Sequence, residues 1–260
     1  MITELQEYLA DTPVLWSVLI LAAAATLQAA VGFAAAMFAM PLLLWAGKDS
    51  FLVTAQVMII TAMFPQNVFG LWKLRESITF REVAAPASLR ILAMPIGILG
   101  LTYVVTWSTE SINQFVAVMI LLAVASQAFI GMDWKNAGRW YWVTITFGGS
   151  GILQGLSGIS GPPMVLWVHG QKYAADRARA FLFTMYIGNF APQILLLWWE
   201  FGHEVWRAVV VACIALPFVL IGAAAGLRLG SKLGDDRLRP FSYIVLIAMA
   251  LYSLIAPLLS

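Results

Sequence analysis

Hydrophobic positions in this chain fill long blocks separated by short polar breaks. Eight blocks emerge, at about residues 14–45, 51–72, 83–107, 112–130, 140–168, 178–199, 205–227 and 241–258. A helix needs about 20 apolar residues to cross a hydrocarbon layer ~30 Å thick, and most blocks have that length. The first and fifth are too long for one crossing. Each is interrupted midway by small residues, at 32–36 and 155–161, so each reads as two half-length helices.

Composition removes the soluble alternative. The chain is 62% hydrophobic and 11% charged, against roughly 45–50% and 25% in soluble domains. Residues 1–13 carry Glu4, Glu7 and Asp11 without Lys or Arg, unlike the basic opening of a secretory signal, and are expected to stay as an outer N-terminal segment. The single cysteine, Cys213, lies in an apolar block, which excludes an intrachain disulfide and argues against a cysteine-based metal site. His169 and His203 have no third ligand near them in the sequence, so no metal or other cofactor is expected, and no nucleic-acid partner.

The placement of charge orients the blocks. Twelve of the 15 basic residues fall in four breaks: Lys73, Arg75 and Arg81; Lys135 and Arg139; Lys172, Arg177 and Arg179; Arg228, Lys232, Arg237 and Arg239. Basic residues in short loops gather on the cytoplasmic side. With one crossing per block, the breaks after blocks four and five would face opposite sides and the rule would fail. It holds throughout if block five enters and leaves on one face; the alternative, a single long tilted helix, would leave the two halves parallel. The same reading of block one puts both termini outside, with Asp49, Glu110, Glu200 and Glu204. Trp45, Trp72, Trp107, Trp140, Trp198 and Trp206 sit at block ends, at headgroup depth.

The predicted fold is all-α: a polytopic transmembrane helical bundle of two inverted repeats, each with a broken or re-entrant first element, giving up to ten membrane elements. The first repeat is read as 14–131, a cytoplasmic linker as 132–139 and the second repeat as 140–260. A bacterial inner membrane, with lipid around the bundle, is the expected setting. The repeat also shows in residue identities. A shift of about 126 residues lays Gln28-x3-Gly32 on Gln154-x3-Gly158 and Pro65-Gln66-x5-Trp72 on Pro192-Gln193-x5-Trp199. Pro95 with Gly97 and Gly100 has a counterpart in Pro217 with Gly222 and Gly226.

The most unusual stretch runs Gly155-Leu156-Ser157-Gly158-Ile159-Ser160-Gly161-Pro162-Pro163. Proline suits the first turn of a new helix, and a helix starting inside the membrane aims unsatisfied N–H groups and a positive dipole end at whatever faces it. Small anions bind such ends, with Ser157 and Ser160 as added hydroxyl donors beside Gly158 and Gly161. The matching stretch after Gln28, from Gly32 to Ala36, holds one glycine and is expected to bind more weakly. The bland reading is close helix packing, as Gly151-x3-Gly155 and Gly222-x3-Gly226 would provide. Amides within blocks, Gln28, Gln56, Gln66, Asn67, Gln154, Asn189 and Gln193, either line an anion path or join helices. Arg90 is the one basic residue well inside a block. It binds the anion or snorkels to the interface, about 13 Å away by helical rise. No Asp or Glu lies within a block, so no carboxylate proton relay is visible.

These residues carry a resemblance. Gly32-Phe33-Ala34-Ala35-Ala36 through Pro41-Leu42-Leu43, the Gly155 to Pro163 string, Arg179 and the Gly222-x3-Gly226 helix resemble the sulfite exporter TauE/SafE family of bacterial membrane transporters. The resemblance implies a secondary transporter that moves sulfite, an organosulfonate or a related sulfur-containing anion by alternating access. Family members tend to have glycines where this chain has Ala34, Ala35 and Ala36. Two other readings compete. An anion channel would use the same polar groups in a continuous wet path. Gly155-Leu156-Ser157-Gly158 is also the Gly-x-Ser-Gly string of rhomboid intramembrane proteases, but that chemistry needs a histidine beside the serine, and neither histidine is well placed.

Overall fold

The computed structural model describes residues 13–31, 34–47, 51–78, 80–129, 139–171, 173–233 and 235–259. Within them every regular element is helical: α1 Val14–Val31, α2 Ala35–Ala46, α3 Phe51–Leu74, α4 Phe80–Val104, α5 Thr109–Phe129, α6 Trp140–Ser157, α7 Gly161–Gly170, α8 Ala175–Phe201, α9 His203–Leu233 and α10 Asp235–Leu259. A short 3₁₀ turn, Arg75–Ser77, closes α3. By length and composition, α3, α4, α8 and α9 are each able to cross a membrane. Large apolar side chains face outward along the middles of α4 and α9, with Leu92 at 75% and Ile221 at 67% exposure. Hydrocarbon, rather than water, satisfies such a surface. This is the polytopic helical bundle expected from the sequence. The outer segment before Pro13 and most of the 132–139 linker lie outside the described residues.

The fifth block folds back on itself. Were α7 to continue the line of α6, Phe147 and Trp167 would stand ~30 Å apart at 1.5 Å per residue. Their ring centroids are 5.1 Å apart, and Ser150 Oγ donates to Ser160 O at 3.0 Å. The reversal has a local cause. Gly158 takes φ 71, the left-handed conformation that ends helices, and its N–H closes on Gln154 O at 3.0 Å. Ser160 follows in non-helical backbone, and Pro162 and Pro163 occupy the first turn of α7, where missing N–H groups cost nothing.

Glycines set the directions of the longer helices. A Cβ on Gly222 would stand 2.4 Å from Ala22 O, and one on Gly226 would stand 2.1 Å from Thr26 O. Both contacts advance together, so α9 packs parallel to α1 with backbones almost touching. Likewise a Cβ on Gly151 would lie 2.2 Å from Arg90 O and one on Gly155 would lie 2.4 Å from Met94 O, so α6 runs parallel to α4. These glycines are packing positions, as small-x3-small spacing in membranes generally is.

Parallel packing of α1 with α9 has a topological consequence. When every other helix crosses once, the chain brings α9 up parallel to α1 only if both long blocks fold back or neither does. The fifth block folds back, so the first must as well. With α1–α2 and α6–α7 both hairpins, α6 runs opposite to α1 and the halves are inverted. The packing pairs agree: α1 lies on α9 and α6 on α4, while α3 meets α8 and α5 meets α10. Exchanging the halves turns each pair into another of the set or into itself.

Candidate functional site

The two hairpin tips face one cavity. It has a volume of about 70 Å³, room for a few waters or a small solute, and is partly open to the outside. Ala34, Ala35, Ala36 and Met37 line it from the start of α2, and Gly158, Ile159, Ser160 and Gly161 line it from the turn into α7. The middles of α3 and α8 close the sides with Gln56, Met63, Asn67, Tyr186 and Asn189, while Gln28, Gln154 and Arg90 complete the wall.

Gln154 is the hub of this wall. Its Nε2 donates to Gln193 Oε1 at 2.7 Å, and its Oε1 accepts from Arg90 Nη2 at 2.7 Å and from the hydroxyl of Ser160. Arg90 also donates to Ser160 Oγ, and to Met185 O at 3.3 Å. The last carbonyls of α6 have no intrahelical partner because the helix stops there. Gln56 reaches across from the first half to fill that role at Gly155 O, at 3.3 Å, and its Nε2 also donates at 2.6 Å to Gln154 O, which already accepts from the Gly158 N–H. The first half carries a sparser version. Gln28 Nε2 donates to Asn67 Oδ1 at 2.8 Å, and Gln66 Nε2 donates to Ala25 O at 3.3 Å.

Arg90 is fully buried, and its guanidinium contacts only amide, hydroxyl and carbonyl oxygens and the face of Tyr186, whose ring centroid lies 5.7 Å away. Among the described residues no carboxylate neutralises it. A buried cation without an ionic partner is costly, so the wall carries an uncompensated positive charge. Arg90 therefore does not snorkel. Its head points into the protein, held by the tip of α6–α7.

The donors are distributed differently from the sequence expectation. At the α7 tip, Pro162 and Pro163 have no N–H, the Ile159 N–H is taken by Ser157 Oγ at 3.3 Å, and the negative end of α6 lies alongside. Dipoles of the two hairpin arms oppose each other there, so the net charge of that half comes from Arg90. At the α2 tip, Ala34 takes φ 87 and offers no side-chain cap, and Ala35, Ala36 and Met37 of the first turn line the cavity.

Of the residues singled out in the sequence, Gln28, Asn67, Arg90, Gln154, Gly158, Ser160, Gly161 and Asn189 line the cavity. Gln193 stands behind it, positioning Gln154. Gln66 braces α1 from outside the wall. Ser157 turns back into its own helix, donating to Leu153 O at 3.1 Å, so it is neither a cavity donor nor a poised nucleophile. Gly32 lies outside the described residues. His203 is exposed at the start of α9, and no cluster of three metal-ligating side chains occurs among the described residues. Ala34 to Ala36, from the stretch expected to bind more weakly, line it as well, and Tyr186 is an addition. Tyr186 had a signal, because it is a tyrosine in mid-block rather than at an interface.

A helical membrane protein whose two re-entrant hairpins meet at a charged, solute-sized cavity is, by class, a membrane transporter. The model of the family described as Sulfite exporter TauE/SafE matches residues 17–253, and the chain belongs to that family, whose members are transporters rather than enzymes. It is similar to a protein of Cupriavidus necator named "Probable sulfite/organosulfonate exporter TauE", with 26% identity over 187 residues that cover 71% of this chain and 72% of the relative. No solved structure matches the chain.

Proposed function

We propose that this protein carries sulfite or a small organosulfonate out of the cell across the bacterial inner membrane, by exposing the cavity alternately to either side. The observation that carries the reading is Arg90: buried, without a carboxylate, and held at the rim of a cavity between two helix tips. Such a site lacks one negative charge, and an oxyanion supplies it with acceptor oxygens that suit a guanidinium and main-chain N–H groups. The name of the Cupriavidus necator relative supports the sulfur oxyanion as the substrate class. Alternating access follows the inverted hairpins, since exchanging the conformations of two such halves opens the cavity to the other side. The basic loops then face the cytoplasm and both termini face outward.

Purified protein in liposomes loaded with unlabelled sulfite is expected to accumulate labelled sulfite by counterflow, with saturation. Arg90→Gln is expected to abolish the accumulation. Rapid, unsaturable flux of the label would make the protein a channel, and counterflow of a small cation or sugar in place of sulfite would end the anion reading.

A further inference from the structure

The cavity wall holds acceptors that an oxyanion leaves unmatched. Gln56 is 1% exposed, and its amide is fixed in orientation because Nε2 must be the atom that donates to Gln154 O. Its Oε1 is therefore the free acceptor of a side chain that lines the cavity, buried and without a partner. Asn189, also 1% exposed and on the opposite side helix α8, has no partner for either Oδ1 or Nδ2. Arg90 Nε is a third orphan. A buried carbonyl or amide left unpaired is costly, so these groups mark where a bound solute has something to satisfy.

A fully deprotonated oxyanion only accepts hydrogen bonds. It answers Arg90 Nε and Asn189 Nδ2 and leaves Gln56 Oε1 and Asn189 Oδ1 facing oxygen, which is repulsive. We infer that the preferred solute is an anion carrying its own O–H donor, the anionic oxygens toward Arg90 and the hydroxyl toward the Gln56 and Asn189 acceptors. This rests on the anion reading above and adds a requirement to it. A hydroxyl-bearing sulfonate meets the requirement, and so does a singly protonated inorganic oxyanion. The chain's own contribution points the same way. Among the described residues lining the cavity no carboxylate or imidazole is present to take up the solute's proton, so a hydroxyl that the solute brings stays a donor.

The test compares two sulfonates that differ by one oxygen, ethanesulfonate and 2-hydroxyethanesulfonate, titrated against the detergent-purified full chain by calorimetry. The hydroxylated anion is expected to bind at least tenfold tighter, and Asn189→Leu is expected to reduce the ratio to about one or two. Equal affinities in the natural protein would overturn the donor requirement while leaving the anion reading intact. Failure of both sulfonates, and of sulfite, to bind would overturn the anion reading and this inference with it. A ratio that survives in Asn189→Leu would remove Asn189 from the inference. Should that variant not fold, the natural protein's ratio alone decides.

Discussion

At the scale of single residues, the site depends on one cation and the groups that hold it. Arg90 splits two nitrogens among Gln154 Oε1, Ser160 Oγ and Met185 O, a fork that a lysine's single nitrogen does not reproduce. Arg90→Lys is thus expected to keep the charge yet weaken anion binding by about tenfold or more, since it loses the directed, charge-assisted bonds; calorimetric titration with sulfite measures this. Gly158 sits at φ 71, and a Cβ there would meet Gln56 Cγ at 3.0 Å. Gly158→Ala is expected to cost about 1–2 kcal/mol from the left-handed backbone alone, seen as a lower melting temperature, and to weaken binding as Gln56 is displaced. Arg90 and the buried amides were legible from sequence because charge and amides in an apolar block have few bland explanations. Their division of labour was not. Whether Ser157 faces a cavity or its own Leu153 carbonyl depends on one rotamer, which spacing does not determine.

At the scale of elements, the hairpins and the glycine seams do separate work. Small residues between 148 and 161 looked alike in the sequence, yet the structure gives them three uses. Gly158 and Gly161 shape the turn beside the cavity, Gly151 and Gly155 let α6 lie on the backbone of α4, and Gly148 and Gly149 have open space where a Cβ would stand. Gly151→Leu is therefore expected to prevent assembly, read as loss of the monodisperse peak in fluorescence-detected chromatography. Gly149→Ala should elute and melt within about 0.5 kcal/mol of the natural protein, as substitutions without contacts usually do. The α7 reversal predicts a further measurement. Phe147→Cys with Trp167→Cys should join through a short bifunctional thiol reagent, because those side chains pack face to edge. In an unbroken helix of twenty residues they would lie ~30 Å apart and stay unlinked. The broken block was visible in sequence from length and charge. How the two tips share the cavity wall was hidden, since it turns on two prolines at one tip and the backbone of Ala34 at the other.

For the whole molecule, two independent lines meet on one topology. The glycine contacts make α1 parallel to α9 whether or not the long blocks fold back, provided both behave alike. The Phe147–Trp167 contact then selects folding back. Neither uses charge, yet the resulting path gathers all four basic breaks at one end of the bundle, the distribution that insertion favours for a cytoplasmic face. An arrangement with two single crossings satisfies the parallel contact and scatters the charges. The two arrangements differ in which exposed turns share a side: Glu76 with Ala174, and Ser108 with Glu200, in the folded-back path; each pair divided in the alternative. Cysteines placed singly at these four positions, in a Cys213→Ser background, are expected to separate cleanly. A membrane-impermeant maleimide applied to intact cells should label Ser108→Cys and Glu200→Cys, and should reach Glu76→Cys and Ala174→Cys only after the membrane is opened. Labelling that splits either pair would break the inverted arrangement, and with it the ground for alternating exposure of a single cavity between the hairpin tips.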